Sequence, residues 1–202
     1  MQEFIVSLMG KFGYPGIFFL ITIENLFPPI PSEVILTMGG FLTTCTPMRI
    51  SGVILFSTLG SLLGAIILYY LGKLLNKERL MRLVSGKTGR LLHLHAEDIE
   101  NAAVWFEKKG GKAVFFCRLV PILRSLISIP AGMSEMNQVK FLLYTTAGSL
   151  LWNTVLVVLG SILGESWMLI AIVLKRYSAI TKIALGISAF SILFYFHRKK
   201  RS

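Results

Sequence analysis

Acidic residues are scarce in this chain. Its 202 residues hold 10 Asp and Glu against 21 Lys and Arg, and only 15% of them are charged at all. Two long stretches, Gly52–Leu71 and Phe141–Leu163, contain no charge of either sign. A soluble domain of this size cannot hide a composition that is 54% hydrophobic, so the class is an all-α integral membrane protein. Cysteine is nearly absent. Cys45 and Cys117 lie far apart in apolar surroundings, which excludes a cysteine-based metal motif and makes both small buried hydrophobes by expectation. The first twenty residues lack a basic leader and a small-residue cleavage site, so no secretory signal is expected and the first apolar segment stays in the mature chain. The net charge of +11 would suggest nucleic acid in a soluble protein. Here it sits between apolar segments and at the end of the chain, which points to membrane topology and anionic lipid, with no nucleic acid as partner.

The apolar segments are Tyr14–Phe41, Gly52–Leu71, Ala113–Met133, Phe141–Leu163, Trp167–Leu174 and Ile180–Phe196. Gly52–Leu71 and Phe141–Leu163 are long enough to cross roughly 30 Å of hydrocarbon. Ile180–Phe196 is shorter but serves as a last span once Lys182 and Tyr195 act as interface anchors. Trp105, Trp152 and Trp167 read as interface or packing aromatics.

Two segments are interrupted. Tyr14–Phe41 carries Glu24, Asn25, Pro28, Pro29, Pro31 and Glu33 in its middle. Each proline removes a donor and clashes with the preceding turn, so no continuous helix runs through them. The freed carbonyls cannot face lipid, and a re-entrant helix–break–helix hairpin is expected. Ala113–Met133 has the same character, with its break expected over Ser128–Gly132 around Pro130 and a kink at Pro121. It also holds Arg118 and Arg124. An arginine keeps its proton. At mid-membrane it costs roughly 2.5–3.5 kcal/mol on insertion scales, so such residues face polar cavities and mark functional sites by default. Two of them six residues apart suggest a site for an anion.

Between the interrupted segments lies the one hydrophilic region, Lys73–Lys112, with nine Lys and Arg and five Asp and Glu. Leu91–Lys109 is expected to form an amphipathic helix with Ile99, Ala102, Ala103 and Phe106 on one face. His93 and His95 flank Leu94 there, without a third ligand nearby, and read as surface histidines; neither a metal nor a cofactor is expected. The run Arg198–Arg201 is the other basic cluster. The positive-inside rule places both clusters, and hence the C-terminus, in the cytoplasm, although Lys175, Arg176 and Lys182 then face outside.

The two halves of the chain match each other. Thr58–Gly72 and Thr146–Gly160 agree at eight of fifteen positions with an offset of 88, including the tetrads Gly60–Leu63 and Gly148–Leu151. Upstream, Gly13–Phe19 parallels Gly110–Phe116. Each half is then a broken hairpin followed by a span, and the spans run in opposite directions. That is an inverted repeat, a plan in which substrate binds where broken helices meet near the midplane. The parts of this single membrane domain are residues 10–72, a basic linker 73–112, residues 113–163, and a C-terminal part 164–202 with an amphipathic segment, a last transmembrane helix and a basic tail. The hairpin tips would bring Glu24 and Glu33 near Arg118 and Arg124.

The run Glu24-Asn-Leu-Phe-Pro-Pro-Ile-Pro-Ser-Glu33 resembles the first signature of the DedA family of membrane proteins, relatives of the eukaryotic VTT-domain lipid scramblases. Phe116-Cys-Arg-Leu-Val-Pro-Ile-Leu-Arg124, followed by Ile129-Pro-Ala-Gly132, resembles the second. The resemblance covers roughly residues 10–165. Cys117 departs from the aromatic or Gly-Arg pair usual at that point, and the second acid of the first motif is carried to Glu33. The resemblance implies lipid transport between leaflets of the bacterial plasma membrane. Similar Gram-positive members return undecaprenyl phosphate to the cytoplasmic leaflet, and others move phosphatidylethanolamine.

A polyprenyl phosphate presents one small anionic head, and the planar guanidinium fork suits it. On a straight helix six residues leave Arg118 and Arg124 about 120° apart. The pair either clamps one phosphate, or one arginine binds while the other pairs with a glutamate. Alternatively both arginines form structural ion pairs with Glu24 and Glu33. Glu24 and Glu33 are the candidate proton carriers for a transport step driven by the proton gradient. Glu33 reads equally as a residue in the first turn of the returning helix, with Ser32 as its cap. Asn25, Ser125 and Ser128 are weaker polar candidates near the site. A second copy of the chain is a further candidate partner. The rivals are a lipid phosphatase, which lacks a histidine near the arginines in sequence, a proton-coupled ion antiporter and an assembly factor.

Overall fold

The computed structural model describes residues 9–27, 32–74, 96–121 and 123–166, with nothing said of the side chains of 96–105, 107 and 165. Over these residues the chain is helical, and no strand occurs among them. The elements are α1 (Tyr14–Leu26), α2 (Ser32–Cys45), α3 (Ile50–Leu74), α4 (Ala96–Cys117), α5 (Leu123–Leu126), α6 (Ser128–Met133) and α7 (Gln138–Leu163), followed by a 3-10 turn at Gly164–Ser166. Pro28, Pro29 and Pro31 lie outside the described residues. So do His93, His95, Trp167, Lys175, Arg176, Lys182, the expected last span and the basic tail.

Local chemistry sets the ends. Pro15 stands in the first turn of α1, where its missing N–H costs no helical bond. α1 stops ahead of the proline run, since a residue before proline is pushed out of the helical region. Asn137 caps α7, its side chain accepting from the backbone N–H of Val139 and Lys140 at 3.0 and 3.1 Å. α1 and α2 have 13 and 14 residues, about 20 Å each, too short to cross a bilayer singly. α3 and α7 have 25 and 26 residues and are apolar enough to cross one. Only 39% and 33% of their most apolar windows are buried, unlike the core helix of a soluble protein. On α3 the exposed stripe is Leu55, Leu59, Leu63 and Ile67, a helical spacing that presents grease outward.

α3 and α7 pack on each other. α1 lies along α3 and α4 along α7, while α2 crosses onto α7 and α6 onto α3. Each long helix thus carries one helix from its own half and one from the other. Lipid gives little apolar drive for helix association, so close backbone approach at small residues does the work. A Cβ on Gly60 would sit 2.5 Å from the Phe18 carbonyl oxygen, and one on Gly148 would sit 2.9 Å from that of Phe115. These are the same positions under the offsets of 88 and 97 seen in the sequence. The pattern recurs across halves. Gly40 lies against the Val157 carbonyl and Gly160 against that of Thr37, while Gly132 lies against Tyr69 and Gly72 against Ile129, with added-Cβ distances of 2.0–2.2 Å. Two apolar clusters flank this lattice. One includes Ile17, Ile21, Ile35, Val53 and Leu156, the other Ala65, Tyr69, Phe106, Val114 and Phe141.

Three expectations need correction. The amphipathic stretch and the second apolar segment are not separate, because α4 runs unbroken through residue 112 to Cys117. Of its expected apolar face, Phe106 is buried, and the side chains of Ile99, Ala102 and Ala103 lie outside the description. The break is not at Ser128–Gly132. It lies at residues 118–121, ending at Pro121, and Pro130 sits in the first turn of α6, where a proline is tolerated. Cys45 is exposed at the end of α2, its thiol directed back to the carbonyls of Phe41 and Leu42. Trp152 is half-buried against the first apolar cluster, and the side chain of Trp105 is among those not described.

Candidate functional site

Two chain breaks meet between α3 and α7. The C-terminal turn of α1 supplies Glu24 and Asn25, the first turn of α2 supplies Glu33, and the break after α4 supplies Arg118. α5 supplies Arg124 and Ser125, and α6 supplies Ser128. All are buried, with Arg118 only 2% and Arg124 4% exposed. Asn25 rests on Gly64 of α3, and the Arg118 stem rests on Gly148 of α7. The two glycines let the polar side chains lie flat on the long helices.

The arginines have different partners. Arg124 forms an ion pair with Glu24 through its Nη2. Arg118 donates to the Ser128 hydroxyl at 2.8 Å and to the Asn25 side-chain oxygen at 3.4 Å. Asn25 in turn donates to the Ile21 carbonyl at 3.0 Å and to Glu24 at 3.4 Å, which ties the two arginines into one network. Arg118 has no carboxylate partner among the described residues, and its buried Nε–H has no acceptor there. A buried cation held only by neutral groups is expensive, and its planar fork still has a donor to offer. That is the chemistry of an anion site with one arginine open and the other guarded by a carboxylate.

The remaining residues divide. Glu33 is buried in the first turn of α2; its carbonyl accepts from the Thr37 hydroxyl at 2.6 Å, and its carboxylate takes part in no hydrogen bond or ion pair among the described residues. Ser32 is the first helical residue rather than a cap preceding the helix. Ser125 is buried beside Arg124, and Pro121 is buried within the break. Pro130 faces outward, and Gly132 serves packing against Tyr69. The structure therefore brings Glu24, Asn25, Arg118, Arg124 and Ser128 into one network and leaves Glu33 beside it. Sequence reasoning missed the polar pair that joins the long helices near this point: the Asn153 amide donates to the Thr58 hydroxyl at 3.2 Å, and both residues are buried. Asn153 was the signal, a lone amide in an otherwise apolar span.

The family model described as the VTT domain matches residues 30–162. An alkaline phosphatase-like protein of Lactococcus lactis subsp. lactis is 52% identical over 99% of this chain and 94% of its own length. Undecaprenyl phosphate transporter A of Staphylococcus aureus is 37% identical over 100% of this chain and 99% of its own. The Bacillus subtilis protein of the same name is 30% identical over 98% and 94%. No solved structure matches the chain.

Proposed function

The chain belongs to the VTT domain family, the DedA membrane proteins, and from that premise we propose that it carries undecaprenyl phosphate from the outer to the cytoplasmic leaflet of a bacterial membrane. The observation that carries the reading is the buried network in which Arg118 keeps an unpartnered N–H while Glu24 holds Arg124. A phosphate monoester satisfies Arg118 first. It then draws Arg124 from Glu24 and is held by two forks. The freed Glu24 takes up a proton, with Glu33 as its neighbour, and this couples movement of the head to the proton gradient. The transporter names of two relatives support the same cargo.

The architecture in this reading is an inverted repeat of two re-entrant hairpins, each followed by a span, with a further span and a cytoplasmic C-terminus beyond the described residues. The reciprocal glycine contacts support it, since Gly60 on Phe18 recurs as Gly148 on Phe115 under the offsets of 88 and 97, and Gly72 and Gly160, 88 apart, each meet the backbone of the other half. The broken segments leave the site buried in protein between two helices whose outer faces are apolar, which suits a cargo with a charged head and a tail that stays in lipid.

The test is transport by purified protein in vesicles loaded with a polyprenyl phosphate, read with an impermeant phosphate-binding probe under an imposed pH gradient. Protein-dependent loss of the exposed head in the direction of the gradient is expected. Equal movement of phosphatidylethanolamine would assign a general phospholipid flippase instead, and proton-coupled ion flux without lipid movement would assign an antiporter. Hydrolysis is the second reading, favoured by the phosphatase-like name of the Lactococcus relative. Release of inorganic phosphate during the same assay decides it.

A further inference from the structure

A second basic feature lies away from the buried network. Where α4 meets the start of α7, a cavity of about 980 Å³ opens to the surface. Lys108, Lys109 and Lys112 of α4 and Lys140 of α7 line it, with Glu135 as the one acid in the lining. Each lysine is exposed, and none takes part in an ion pair among the described residues. Lys108 and Lys112 are four residues apart on one helical face, where like charges repel. Its walls also include Phe106, Leu143 and Tyr144. The cavity combines uncompensated positive charge with an apolar side.

The corresponding positions of the other half carry different residues. Under the repeat offsets, Gly111 corresponds to Tyr14, Tyr144 to Phe56 and Lys140 to Gly52. Tyr14 stacks on Phe56 at 5.3 Å, its ring lies over Gly52, and its hydroxyl accepts from the Arg49 N–H at 2.7 Å. That ring fills the corresponding space. In the second half the tyrosine position is Gly111, which the Tyr144 ring of α7 covers instead, and the glycine position is Lys140. Lys108, Lys109 and Lys112 correspond to Lys11, Phe12 and Pro15, so three of the four lysines have no basic counterpart. Within an otherwise repeated framework, the second half carries its aromatic ring on α7 and sets basic residues beside it.

We propose that this cavity docks the phosphate head of a membrane-anchored lipid, giving the molecule a high-affinity side. Four ammonium groups against one carboxylate select an anion, and juxtamembrane lysines attract anionic lipid heads. The apolar wall of Phe106, Leu143 and Tyr144 takes the first carbons of the tail. This rests on the lipid-phosphate reading above and adds sidedness, since three of the four lysines have no basic counterpart in the other half.

A photoreactive p-benzoylphenylalanine replacing Leu143, which is 65% exposed, reports occupancy in nanodiscs containing undecaprenyl phosphate. Placed at Ile162, which is 74% exposed at the far end of α7, it is the control. Labelling at 143 should exceed that at 162 and fall at least about tenfold in a Lys108→Gln, Lys112→Gln, Lys140→Gln variant. Labelling that ignores the three substitutions, or equal labelling by undecaprenol, overturns the dock. Displacement by inorganic phosphate at concentrations far below that of the lipid overturns the lipid as occupant. Charge-dependent labelling in a protein that moves no lipid upholds the dock and defeats the transport reading. Transport with charge-insensitive labelling does the reverse.

Discussion

Replacing Glu24 by Gln tests the guarded arginine directly. The Glu24 and Arg124 side chains are 7% and 5% exposed, so their pair is buried. Removing one partner of a buried pair costs about 3–5 kcal/mol, chiefly because the other charge is stranded. Gln keeps an acceptor, which places the expected loss near the lower end, about 3 kcal/mol. That is a factor of roughly 150 in the folding equilibrium and a fall of about 6–12 °C in Tm for a chain of this length. An anion should give much of this back. In the parent protein a phosphate must displace Glu24 before it reaches Arg124, whereas in Glu24→Gln it meets a waiting charge. A phosphomonoester lipid at about a hundred times its Kd stabilises by about 2.7 kcal/mol through binding alone, and the variant's gain should exceed the parent's. Thermal melts of both proteins in detergent, with and without the lipid, supply the four values. A variant that melts with the parent refutes the structural importance of the pair. An equal lipid-induced shift in both refutes competition between phosphate and Glu24.

Arg118→Lys should lower lipid transport at least about tenfold while the protein still folds, because an ammonium cannot span Asn25, Ser128 and a ligand as the planar fork does; vesicle transport rates check this. Gly160→Ala and Gly132→Ala should each destabilise by about 1–3 kcal/mol or more, since the added methyl meets backbone oxygen across a helix interface. Gly10→Ala, which has open space around it, should be nearly neutral in the same melts. Cys45 is exposed and Cys117 half-buried, so a maleimide should label Cys45 well before Cys117 in detergent, and equal rates would contradict the packing of α4 against α7.

Much of the fold was legible because membrane constraints act on composition. A charge-free stretch of about twenty residues can be read without knowing its neighbours, and α3 and α7 extend the expected Gly52–Leu71 and Phe141–Leu163 by only a few residues. The prolines at 28, 29 and 31 announced the end of α1 by local sterics alone. Pro130 misled for a complementary reason. Proline breaks a helix interior yet fits its first turn, and only the position of the preceding break at 118–121 decided which applied. The boundary expected at residue 112 failed because Lys108, Lys109 and Lys112 read as linker. They lie on a helix whose later turns are apolar, and charge on a helix marks its surroundings rather than its end.

The site divides in the same way. That Arg118 and Arg124 face protein rather than lipid follows from the cost of placing a guanidinium in hydrocarbon, so the sequence by itself placed both inside the protein and named Glu24 as a nearby carboxylate. It could not pair them. One arginine took Glu24, the other took Asn25 and Ser128, and Glu33 stayed aside, because partner choice depends on where α1, α5 and α6 lie against Gly64 and Gly148. The glycine repeat was visible in the chain as an offset of 88. Only the tertiary structure turned it into reciprocal contacts and showed where the halves differ, with the Tyr14 ring lying over Gly52 in one and the Tyr144 ring over Gly111 in the other. Composition and local sterics act over a few residues and can be read in order. Pairing of buried charges and the filling of space are settled between segments about a hundred residues apart, and exist only once the helices have packed.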